Sequence, residues 1–131
     1  MQAMILAFYA FIGLQPQPIN VQLVETFPVI STPYGERQAH GWAKPPHTIL
    51  LREGHWATLN RWQQQELLWH ELAHLQGCYY HSEETNDIMN PHAPEVYWVR
   101  PDGANWSILA GKLRRFLEEC EKPKGFFQNA E

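Results

Sequence analysis

The chain has too little cysteine for a disulfide framework: Cys78 and Cys120 are its only two, and neither belongs to a CxxC pair. Two free thiols are expected, with one disulfide as the alternative. Runs of Lys or Arg are also missing. Ten basic against fourteen acidic residues leave a formal net charge of −4, so there is no basic field to attract phosphates, and a nucleic-acid partner is not expected. Long hydrophobic runs are absent too. The apolar stretch Met4 to Leu14 is too short to span a bilayer. It resembles a secretory h-region in length, but no Lys or Arg precedes it and no small-residue cleavage site follows. Residues 1–18 are therefore expected as an apolar N-terminal segment, structural or able to dock a protein partner through residues 1–14. The compartment stays open, with a lean towards an intracellular or particle-bound protein.

Aromatic residues are plentiful. Six Trp, six Phe and five Tyr in 131 residues remove large areas from water and suit one core. One domain over 1–131 is expected, with 122–131 as a flexible tail.

Along the chain, Ile19 to Glu25 alternates apolar and polar residues and predicts a strand with one buried face. Residues 28–46, rich in Pro, Gly, Ser and Thr, predict a long irregular connection holding at most a short strand. His47 to Arg52, bounded by a double Pro and Gly54, predicts another strand. Asn60 followed by Gln63 is a helix-start signature, and Arg61 to Gln76 contains neither Gly nor Pro. A helix there carries the apolar stripe Trp62, Leu68, Trp69, Leu72 and Leu75. Residues 77–94 read as loop, and Glu95 to Val99 is too short to classify. Trp106, Leu109, Leu113, Phe116 and Leu117 recur at helical spacing within 105–121 and predict a C-terminal helix.

Chemistry is concentrated in His70-Glu71-Leu72-Ala73-His74, an HExxH motif on the predicted helix. Histidines four apart project to one side of a helix and can share one ion. Zinc suits two imidazoles in that reach. Glu71 is offset from the pair, as a base would be and a ligand would not. With seven His and twelve Glu in the chain, the motif would arise in about 3 of 100 shuffled sequences, so the residues that follow must decide. Gly77 can take the left-handed conformation that ends a helix, returning His81 to the metal as third ligand. Three protein ligands leave one zinc position open to water. Glu83, Glu84 and Asp87 are alternative third ligands, and Glu95, Glu118 and Glu119 are candidates for a downstream one. Cys78 reads as a bystander thiol, and His40, His47, His55 and His92 as surface or hydrogen-bonded residues.

From His70 to His81 the sequence resembles the metzincin zinc peptidases, whose pattern is HExxHxxGxxH followed by a methionine in a tight turn. His70, Glu71, His74 and Gly77 fall on that pattern. His81 comes one residue late, because Cys78-Tyr79-Tyr80 fills a gap of two, and is read as following a one-residue bulge. The run Ser82 to Pro91, containing Met89, is similar to the stretch leading to the Met-turn of matrixin-like members. The resemblance covers residues 47–91. It implies one catalytic Zn2+ on His70, His74 and His81, Glu71 as general base, and Met89 as an apolar floor beneath the imidazoles. It also implies His47 to Arg52 as the strand edging a cleft for a peptide or protein substrate. Tyr79, Tyr80 and Tyr97 are candidate oxyanion donors without a family position.

The expected fold is therefore α+β: a small, mostly antiparallel sheet on the HExxH helix, with a C-terminal helix behind. The expected activity is zinc-dependent peptide hydrolysis, the alternative being a zinc-stabilised, non-catalytic component of a larger assembly.

Overall fold

The N-terminal segment is helical. In the computed structural model, which describes residues 1–32 and 35–120, helix α1 spans Gln2–Ile12 and buries Ile5, Phe8 and Tyr9. Of the two roles expected for residues 1–14, the structural one is observed: α1 contributes to the core, while Met1, Leu6 and Leu14 stay exposed. The tail expected over 122–131 lies outside the described residues. Among the described residues, no helix is long and apolar enough to cross a membrane.

Strand β1 (Asn20–Val24) follows. Its Val21 and Val24 are half-buried and Leu23 is 46 % exposed, so the clean buried face implied by the alternation is not observed. The segment 28–46, expected to be irregular, holds three short strands instead. β2 (Val29–Thr32) and β3 (Gly35–Gln38) pair antiparallel with each other. β4 (Gly41–Lys44) turns through Pro45 and Pro46 into β5 (Thr48–Arg52). Turn-rich composition marks where strands end, but with strands of four residues each it also hides them.

The main sheet has the order β1-β5-β4, β5 running parallel to β1 and antiparallel to β4. It is thus a small mixed sheet. Its register places the predicted strand 47–52 at the centre, and β4, from the supposed loop, is the edge that packs on the HExxH helix. Ile49 and Leu51, both fully buried, explain the central place: a strand with two neighbours and one covered face needs the more apolar sequence.

A short helix α2 (Glu53–Trp56) leads into α3 (Arg61–Leu75). Asn60 Oδ1 accepts from the amides of Trp62 and Gln63, both at 2.9 Å, while Gln63 Oε1 accepts from the Asn60 amide at 3.0 Å. This capping box supplies the partners that the first turn lacks. Every residue from Glu66 to His74 is buried, so α3 is the central element and not an amphipathic surface helix.

Trp69 ties three helices together. Its ring meets Phe8 of α1 edge-on at 5.5 Å and Trp106 of α5 (Trp106–Glu119) at 4.9 Å, and its Nε1 donates to the Met4 carbonyl at 3.0 Å. Leu109 and Leu113 of α5 are buried, with Trp106, Phe116 and Leu117 packed against the same core. The unclassified stretch near residue 95 begins as a single turn, α4 (Ala93–Val96). Beyond it the Trp98 and Val99 amides donate to Glu66, at 3.2 and 2.7 Å.

The two cysteines are not free thiols. Cys78 and Cys120 form a disulfide across 42 residues, their Cα atoms 6.0 Å apart. It fastens the end of α5 to the loop that follows α3.

Candidate metal centre

The last turns of α3 and the loop after it build the site. His70, Glu71 and His74 are all 0 % exposed, and His81 is half-buried. Gly77, at φ 96, ends the helix in the left-handed conformation, and the loop returns His81 to the two helix histidines. The ligand nitrogens of the three rings lie within 4.8 Å of one another, with ring centroids 4.8, 5.0 and 5.2 Å apart. Among the described residues this is the only cluster of three or more His, Cys, Asp or Glu side chains able to hold a metal ion.

Backbone carbonyls orient the two helix rings. His70 Nδ1 donates to Ile88 O and His74 Nδ1 to Cys78 O, each at 2.6 Å. A carbonyl can only accept, so both Nδ1 atoms carry hydrogen, and each neutral ring presents a lone pair at Nε2. The two Nε2 atoms are 3.3 Å apart. Two Nε2 atoms that close call for a shared metal ion or a proton between them. Ligands about 2.0–2.1 Å from a tetrahedral zinc stand about 3.3 Å from each other. The donor set therefore fits zinc, and the carbonyl acceptors supply the outer support that such ligands use.

The loop carrying His81 is fastened by one backbone bond and by the side chains of Asp87 and Asn90. Ser82 N donates to Met89 O at 2.8 Å, and Met89 N donates to Asp87 Oδ1 at 2.9 Å. Asn90 Nδ2 donates to Glu84 O at 2.8 Å, and Asn90 Oδ1 accepts from His92 N at 2.9 Å. Met89 is fully buried next to Ile88, whose carbonyl holds His70. Asp87 thus caps a turn, and Glu83 and Glu84 are exposed. Cys78, between Gly77 and His81, supplies the acceptor for His74.

The remaining candidates fall elsewhere. Glu118 pairs with Arg114 at 3.5 Å on the surface, and Glu95 lies 4.0 Å from His92. Tyr80 packs its ring on Phe116, and the Tyr97 hydroxyl bonds His55 Nε2. His55 stacks on His40 at 3.6 Å, and His40 Nδ1 in turn meets Arg52 Nη2 at 2.9 Å. Burial pushes the Glu66 carboxyl up to about 7, partly offset by the bonds from the Val99 and Trp98 amides.

Sequence reasoning ranked the disulfide behind two free thiols, and it missed the Glu66 clamp and the approach of β4 to Glu71. None has a local signature, because each joins positions distant in sequence. No family model, curated protein or solved structure matches this chain.

Proposed function

We propose that this protein is a zinc-dependent endopeptidase of metzincin type, with His70, His74 and His81 as ligands and Glu71 as general base. The observation that carries the reading is the 3.3 Å approach of two Nε2 lone pairs whose rings already donate through Nδ1, with a buried carboxylate on the next residue. His70, His74 and His81 would hold the zinc, which would supply Lewis acidity for activating water and polarising a scissile carbonyl. Glu71 accepts the proton of the attacking water at a carboxylate oxygen and delivers it to the leaving amide nitrogen. The outer edge of β4 offers backbone donors and acceptors to an extended peptide.

The test is metal analysis of the wild type, His81→Ala and Glu71→Ala, each incubated with a mixed peptide library. One zinc per chain is expected in the wild type, with loss in His81→Ala. Glu71→Ala keeps zinc while cleavage falls by about 10²–10⁴-fold. A wild type without metal overturns the reading. Stoichiometric zinc without cleavage of any peptide favours a zinc-stabilised assembly component instead.

A further inference from the structure

Strand β4 meets Glu71 at Gly41. A Cβ added to Gly41 would stand 2.7 Å from Glu71 Oε2 and 3.2 Å from its Cδ and Cγ. These three nearest atoms all belong to one side chain. Gly41 is not among the glycines with positive φ, which are Gly13, Gly35, Gly77 and Gly103, so its backbone would accept any L residue. What glycine supplies here is space.

The strand has little freedom to retreat. Gly41 pairs with Leu51 of the central strand, and Leu51, Ala43 and Glu71 are all 0 % exposed. Glu71 is equally constrained on its helix, between the metal-facing His70 and the buried Leu72. A methyl group at position 41 would meet the carboxylate before anything else.

We infer that Gly41 is a positioning residue: the bare backbone of β4 is the stop against which the Glu71 carboxylate rests, fixing its place beside the three-histidine centre. The catalytic consequence rests on the peptidase reading above, whereas the contact does not. A side chain at 41 swings the carboxylate off its station or forces the strand away from α3, and the two responses are separable.

The decisive experiment is a double-mutant cycle read by thermal unfolding of the protein as purified, with Gly41→Ala made in the wild type and in Glu71→Ala. In the wild type a drop of about 4 °C in Tm is expected. In Glu71→Ala the drop vanishes or reverses, because the truncated side chain leaves room and alanine restricts the unfolded chain. On any peptide the wild type cleaves, Gly41→Ala keeps its zinc and its KM and loses about 100-fold in kcat. Glu71→Asp, whose carboxylate is one methylene shorter, loses less on addition of Gly41→Ala than the wild type does. Equal Tm drops in both backgrounds, or wild-type kcat in Gly41→Ala, would overturn the inference. A wild type without zinc would sink the peptidase reading alone, and the thermal cycle would still decide whether Gly41 holds Glu71.

Discussion

Between Asn60 and Gly77 the structure is set by residues within a turn of one another: a cap reaching three residues ahead, histidines four apart, and a glycine that lets the helix stop. Between Ile19 and Arg52 the strands are set by distant partners, Asn20 opposite Thr48 and Gly41 opposite Leu51. The first region can be read from its own sequence because every rule needed is local. In the second, alternation and turn residues mark extended chain, but the order of strands in a sheet depends on which edges find partners. Hence His47 to Arg52 is recognised as a strand yet misplaced at the edge.

By that contrast, contacts between residues distant in sequence matter more to stability than local signals of equal clarity. The largest effect is expected from Trp69→Ala, which removes the ring joining α1, α3 and α5 and the bond to Met4, 65 residues away. A loss of about 3–5 kcal/mol in urea unfolding is expected. Next comes Cys120→Ser, which opens a link spanning 42 residues and should reduce stability by about 2–4 kcal/mol. Reduction of the wild type should reproduce that loss without further effect on the variant.

Glu66 sharpens the contrast through pH. Its carboxyl is raised from 4.5 to about 7 by burial, so the folded chain keeps a proton that the unfolded chain releases. The stabilisation is complete below about pH 4.5 and is lost as pH rises through about 7, a change of about 3 kcal/mol. Urea midpoints of metal-free protein across that range should fall with pH more steeply in the wild type than in Glu66→Gln. The smallest effect belongs to the most legible feature: Asn60→Ala should reduce stability by about 1 kcal/mol. A cap variant weaker than Cys120→Ser would break the comparison.

The same distinction divides the candidate site. His70, Glu71 and His74 are legible because helical spacing alone puts them together, and His81 because a glycine turn brings the chain back. The carbonyls of Ile88 and Cys78 behind the rings are not legible, since any residue could supply them. Nor is Gly41, whose relevance appears only once β4 is known to lie on α3. The Cys78–Cys120 pair could have been free on every local criterion, and only the packing of α5 brings the sulfurs together.

Because the acceptors behind His70 and His74 belong to the main chain, ring orientation there depends on no side chain of residues 78 or 88. A backbone oxygen is present whatever amino acid stands at the position and does not titrate over the range in which the protein stays folded. Substitution at either residue therefore preserves each imidazole's tautomer wherever the loop path survives. The orientation of the two rings is thus inherited through the path of the main chain and not through any one side chain.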